Sequence, residues 1–164
     1  MEQSKEIADL FNRWAERYQD RFMNVELYHG TFDVFCDHLA TSASVLEIAC
    51  GPGNITRYLL GKRPDLKIFG IDLAQEMVQL AKKNNPEADF EVMDAREISL
   101  LDQEFAAVMC GFCLPYLSKE ESCKLIADSA NLLSPGGVLY ISTMEDDYAN
   151  SSYQTSSDGK DQIY

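Results

Sequence analysis

No apolar run in the 164 residues approaches the roughly 20 needed to span a bilayer. The opening residues, Met1-Glu2-Gln3-Ser4-Lys5-Glu6, carry no apolar stretch of the signal-peptide kind. The expectation is a cytoplasmic protein without a membrane partner. Basic residues are also scarce, 14 Lys and Arg against 27 Asp and Glu, and a formal charge of −13 opposes binding to a phosphate backbone. Nucleic acid is therefore not the expected substrate. There are only two histidines, His29 and His38, and no second cysteine pair at ligand spacing, so no metal site is expected. Five cysteines, at 36, 50, 110, 113 and 123, are an odd number in apolar contexts and make no disulfide framework. Cys110-Gly111-Phe112-Cys113 has the Cys-x-x-Cys spacing of a redox pair, but the rest of a thioredoxin-like pattern is missing, and the two read as buried thiols at a strand end. What the chain does contain is 46% hydrophobic residues and 10% aromatics, enough for one globular domain with a proper core.

The stretch from Val45 to Asn54 organises the rest. A short apolar run ends in Glu47-Ile48, and Ala49-Cys50-Gly51-Pro52-Gly53 then turns into a helical pattern from Asn54 to Leu60, closed by Gly61. Glycines there let backbone approach a ligand, and the N–H groups opening the helix are free to donate. A dinucleotide fingerprint read from Gly51 reaches Thr56 where its third small residue belongs, and a phosphate-binding P-loop needs Gly-Lys-Ser/Thr, which Gly53-Asn54-Ile55 is not. Glu47 ahead of the turn would repel a pyrophosphate and favour a cationic ligand.

Around this stretch the elements alternate. Ile7, Leu10, Phe11, Trp14 and Tyr18 recur at helical spacing, and a second helix is expected from Gly30-Thr31 with Thr31 as its cap. Further strands are expected at Leu66 to Ile71, ended by Asp72, at Phe90 to Met93, at Phe105 to Cys110 and at Val138 to Thr143. Helices are expected over Ala74 to Asn84, with Asp72 a possible cap, and after the capping box Ser118-Lys119-Glu120-Glu121, stopped by Ser134-Pro135-Gly136-Gly137. The order gives an α/β fold: a mainly parallel sheet with helices on both faces and a ligand crevice at the strands' C-terminal ends.

Val45 to Gly53, Gly70-Ile71-Asp72-Leu73, Val92-Met93-Asp94-Ala95 and Leu133 to Leu139 together resemble the class I S-adenosylmethionine-dependent methyltransferases, with Ala49 standing where the first glycine of the first motif is usual. The resemblance covers roughly residues 40 to 144 and implies a Rossmann-like fold, S-adenosylmethionine as cofactor with S-adenosylhomocysteine as product, and methyl transfer to a small-molecule acceptor. In its terms the cofactor is held at the turn by Glu47, Ala49, Gly51, Gly53 and Asn54. Asp72 takes the ribose hydroxyls, with Leu73 and Met77 also at the cofactor, Asp94 and Ala95 meet the adenine, and Cys110 belongs to the site from the end of the fourth strand. Tyr18 and Tyr28 reach it from an N-terminal helical lid, residues 1–43, over a core at 44–144. Asp72 follows Glu47 by 25 positions, near the separation at which dinucleotide folds place the acid on the ribose. No catalytic residue is identified; His29, Tyr18, Tyr28 and Tyr116 are candidates for a base, and Gly111 to Leu117 is apolar where relatives carry polar residues.

Two other readings stand beside this one: an NAD-dependent oxidoreductase, and a non-catalytic cofactor-binding protein on the same fold. The last stretch, residues 145–164, is polar and turn-rich and reads as a loop. Relatives continue past the fifth strand with a helix and two strands, which the 21 residues after Thr143 cannot build. The C-terminal strands are thus expected to be missing, the 164 residues being part of a longer polypeptide or the edge being covered by a partner subunit, as a monomer or homodimer.

Overall fold

A computed structural model describes residues 2–145 and, by backbone alone, the short strands at 154–155 and 162–163. Five strands, β1 (Ser44–Ile48), β2 (Lys67–Asp72), β3 (Asp89–Val92), β4 (Phe105–Gly111) and β5 (Leu133–Ser142), form a parallel sheet in the order β3-β2-β1-β4-β5. The chain order reverses between β1 and β4. In an open parallel sheet that reversal leaves a crevice beyond the strands' C-terminal ends. β1 and β4 lie centrally, which is why Leu46, Ile48, Val108 and Met109 are wholly buried and why their sequences read as unbroken apolar runs.

Five α-helices accompany the sheet: α1 (Glu2–Phe22), α2 (His29–Asp37), α3 (Asn54–Lys62), α4 (Gln75–Asn84) and α5 (Lys119–Leu132). On one face Phe32, Phe35 and Cys36 of α2 and Ile55 and Leu59 of α3 pack with Val45, Ile68 and Met109. On the other, Leu125 and Leu132 of α5 pack with Leu46, Ile48 and Val108. α2 thus belongs to the core, and of the expected lid only α1 lies outside it; among its described residues Ala15 alone is fully buried.

Several boundaries differ from the sequence reading. Thr31 does not cap α2: the helix begins at His29, and the Thr31 hydroxyl donates back to the Tyr28 carbonyl. Gly61 does not stop α3, which runs to Lys62, because a glycine in the last turn still offers its backbone to the ladder. Asp72 is not the cap residue of α4, a position held by Ala74, although its carboxylate accepts the Ala74 N–H. β5 begins at Leu133, immediately after α5, so Ser134-Pro135-Gly136-Gly137 is not a connecting loop. Phe105 pairs with Leu133 and Ala107 with Val138, so these residues form a bulge on the strand, with Gly136 at φ 80° and the Ser134 hydroxyl donating to the Phe105 carbonyl. The capping box of α5 forms as read, Ser118 and Glu121 each accepting the other's N–H.

β5 is an edge strand among the described residues. Of the stretch read as a polar loop, Gln154–Thr155 and Gln162–Ile163 pair antiparallel; the rest lies outside the described residues.

Candidate active site

The turn after β1 is built from left-handed backbone. Ala49, Gly51 and Gly53 have φ of 56°, 53° and 76°. At Gly53 the shape is obligatory, since a Cβ would lie 2.2 Å from Asn85 Nδ2 and 3.3 Å from Ala81 Cα. Asn84 and Asn85, at the end of α4, bolt this turn to that helix: Asn85 Nδ2 donates to the Gly53 carbonyl at 3.0 Å and Asn84 Nδ2 to the Pro52 carbonyl at 2.8 Å. Ala49 bears the cost of its position, because a Cβ in the left-handed region is strained by about 1–2 kcal/mol. Ala49→Gly should therefore raise stability by about 1 kcal/mol in urea unfolding, even though it gives up one half-buried methyl group. A lower urea midpoint would show that the methyl's packing outweighs the strain.

Two carboxylates converge below this turn. Glu47 is 1% exposed; its Oε2 accepts the hydroxyl of fully buried Thr56, and its Oε1 has no hydrogen-bond partner. Thr56, which fails as a glycine of a dinucleotide fingerprint, is thus the partner of the acid. Burial is the main reason the Glu47 carboxyl is pushed up to about 8, with the Thr56 hydroxyl acting against it and Asp72 with it. Asp72 Oδ2 accepts the Gly51 N–H at 2.8 Å and Oδ1 the Ala74 N–H at 2.9 Å. Its carboxyl is also raised, by burial, against the pull of these backbone donors. One carboxylate therefore couples the glycine turn to the start of α4.

The crevice over these residues is a cavity of about 120 Å³. That is below the roughly 300–1,000 Å³ of ordinary small-molecule sites. Ile7, Ala8, Phe11 and Tyr18 of α1 lie across it. Phe11 meets Tyr116 edge-on at 5.3 Å and Tyr18 at 5.9 Å. α1 is held down by polar contacts along its length: Ser4 with Arg96, Asn12 Oδ1 with the Glu76 N–H at 3.0 Å, and Gln19 Oε1 with Asn84 Nδ2 at 2.7 Å.

Of the residues expected at a cofactor, Tyr18, Ala49, Gly51, Asp72, Leu73, Met77, Asp94 and Ala95 line the cavity together. Five do not. Glu47 lies beneath the wall, and Gly53 faces α4. Asn54 donates to the Phe22 carbonyl at 2.9 Å. Cys110 is buried in β4, and Tyr28 packs on Phe112 at 4.9 Å. Asp94 is not a free acceptor: Arg96 grips it through Nε at 2.8 Å and Nη2 at 2.6 Å, while Arg96 Nη1 reaches Glu121 at 3.1 Å. Arg96 was missed in the sequence because only the fold brings Glu121 and Ser4 to it. Phe11, Cys113, Tyr116 and Leu117 also line the wall.

Among the candidate bases, His29 is stacked on Tyr58 at 4.1 Å and is not part of the wall. Burial pushes Tyr18 up to about 12, with Tyr116 and Asp72 adding to it, and burial likewise raises Tyr116. Both phenols therefore stay protonated at neutral pH and line the wall.

Residues 45–137 match the family described as "Methyltransferase domain". The demethylmenaquinone methyltransferase of Thermotoga maritima is 35% identical over 114 residues, 66% of this chain and 49% of that protein. The trans-aconitate 2-methyltransferase of Variovorax paradoxus is 33% identical over 103 residues, 63% of this chain and 39% of that one. The chain thus spans less than half the length of these two relatives. Among solved structures, DhpI in complex with SAH superposes with a TM-score of 0.76 at 19% identity, over 96% of this chain and 76% of that one. The fold, the motif order and the family match agree: the chain has the Rossmann-like methyltransferase fold and belongs to the methyltransferase domain family.

Proposed function

We propose that this protein binds S-adenosylmethionine in the cavity under α1 and transfers its methyl group to a small-molecule acceptor. The observation that carries the reading is the pair of buried carboxylates at the glycine turn, with Glu47 Oε1 unpartnered. The cofactor is cationic at its sulfonium and ammonium groups, and an orphaned acidic oxygen beneath the wall suits such a ligand. A nicotinamide dinucleotide would bring a pyrophosphate toward the same acids. Arg96, the one cation lining the cavity among the described residues, is already paired with Asp94 and Glu121.

The cofactor, when bound, supplies the activated methyl group and its own leaving group. The chain's share is to hold, orient and dry. Gly51 keeps the floor open beside Tyr18, whose ring lies 3.9 Å from where a Cβ would be. Asp72 can accept ribose hydroxyls on lone pairs left by its two backbone donors. Phe11, Tyr18, Tyr116 and Leu117 exclude water. With no histidine in the wall and both phenols raised, the site favours an acceptor that arrives nucleophilic. The net charge of −13 and relatives named for trans-aconitate and demethylmenaquinone support a small acceptor. A radiolabelled methyl-transfer screen over small carboxylic acids, quinols, amines and thiols tests this: label should appear in one class, and transfer to none while RNA is labelled would refute the small acceptor.

α1 is read as the lid. The cavity is too small for the cofactor while Phe11 and Tyr18 occupy its mouth, and α1 lies on the body through few buried apolar groups. Hydrogen exchange between Ser4 and Phe22 should be fast in the free protein and slow with S-adenosylhomocysteine bound. Equal rates would leave α1 as plain packing.

A further inference from the structure

The cavity wall contains a thiol that methyl transfer does not use. Cys113 lines the cavity and is 5% exposed, while Cys110, three residues earlier, is buried between Ile48 of β1 and Ile141 of β5. Phe112 between them has φ 60°, a left-handed turn at a bulky residue that folds the chain back as β4 ends. Cys110 and Cys113 belong to the same buried cluster, with Ile48, Val108 and Leu125 around them. A residue held in that strained conformation persists only where surroundings over-determine it, and here it turns Cys113 back into the cluster that holds Cys110.

We propose that Cys110 and Cys113 form a dithiol that small hydroperoxides, entering through the cavity, oxidise to an intramolecular disulfide that weakens ligand binding. The chemistry is a balanced two-electron oxidation. The Cys113 sulfur attacks a peroxide oxygen; the O–O bond breaks, and the departing hydroxide takes the Cys113 proton to become water. The Cys110 thiol then attacks the Cys113 sulfenic acid, forming the S–S bond and expelling hydroxide, which leaves as a second water with the Cys110 proton. The thiols lose two electrons and the peroxide gains them.

The positions suit these roles. Cys113 lines the cavity and meets the peroxide first, and Cys110, behind it in the same buried cluster, is the resolving thiol. Cys110 and burial both raise the Cys113 thiol. Access is selective: a cavity of about 120 Å³ admits hydrogen peroxide, only somewhat larger than a water at about 30 Å³, but not a peptide disulfide. The consequence for binding follows from Cys113's neighbours. It caps the short helical turn Leu114–Tyr116, and Tyr116 carries the edge-on contact with Phe11 of α1. Drawing Cys113 towards Cys110 shifts that turn and reshapes the wall. This last step rests on the proposed cofactor site; disulfide formation does not.

The test uses the full chain with Cys123→Ser, which removes the one exposed thiol. Hydrogen peroxide should cause the loss of two hydrogens in the intact mass, protect both Cys110 and Cys113 from alkylation after unfolding, and weaken S-adenosylhomocysteine binding on the order of tenfold, reversibly with dithiothreitol. Oxidised glutathione should do none of this at the same exposure. Adding Cys110→Ser should remove the mass loss and the reversible change in affinity. Full alkylation of both thiols after peroxide, or a mapped disulfide with unchanged affinity, would overturn the proposal. Failure of the reduced protein to bind S-adenosylhomocysteine would overturn the cofactor site instead, while the mass and alkylation data would still judge the thiol pair.

Discussion

Glu47→Gln should stabilise the ligand-free protein at pH 8 by about 4 kcal/mol and change little at pH 5. The Glu47 carboxyl is raised from 4.5 to about 8 by burial, so the folded chain holds a proton there that the unfolded chain has released. Its contribution to stability is fully present below pH 4.5 and is lost as the pH climbs through about 8. Glutamine keeps the shape, keeps an acceptor for the Thr56 hydroxyl and never ionises. Urea unfolding of both proteins across pH 5 to 8 should show the parent losing stability relative to the variant. The variant should also bind S-adenosylmethionine more weakly, because the acid beneath the cavity wall that can ionise beside a cation has gone. Parallel stability curves would mean that Glu47 is charged in the free protein and that its Oε1 is satisfied by solvent.

Asp72→Ala should be more damaging, through two losses at once. The Gly51 and Ala74 N–H groups would both lose their acceptor, each costing about 1–3 kcal/mol when buried. Ligand binding should fall by a further 2–4 kcal/mol or so as charge-assisted bonds to ribose hydroxyls disappear. Asp72→Asn separates the effects. It retains one acceptor but turns an amide N–H₂ toward one of the two backbone donors, so it should recover part of the stability and little of the affinity. Calorimetry below the variant's unfolding temperature measures the binding loss independently of the fold. An Asp72→Ala protein with the parent's urea midpoint and affinity would remove Asp72 from both roles.

The sheet was legible in the sequence because its central strands are nearly pure apolar runs and each ends at a recognisable residue: Glu47-Ile48, Asp72, Val92 before Asp94, and Cys110-Gly111. The bulge at the start of β5 was not, because Ser-Pro-Gly-Gly has the composition of a turn, and only pairing with Phe105 and Ala107 makes it strand. In the site, residues fixed by local backbone were readable, such as Gly51 and Asp72. Those fixed by distant partners were not. Arg96 depends on Glu121 and Ser4, and Asn85 on Gly53. Ala49 shows the boundary: its departure from the usual glycine was visible, but the strain depended on a φ that only the structure supplies.

The central claim is that the cavity under α1 receives a cationic adenosyl ligand. Isothermal titration of the reduced protein at pH 7 with S-adenosylmethionine, S-adenosylhomocysteine and NAD tests it most directly. Saturable binding of the two sulfur ligands at one site per chain, with no heat from NAD, is the expected result. Binding of NAD with neither sulfur ligand bound would contradict it.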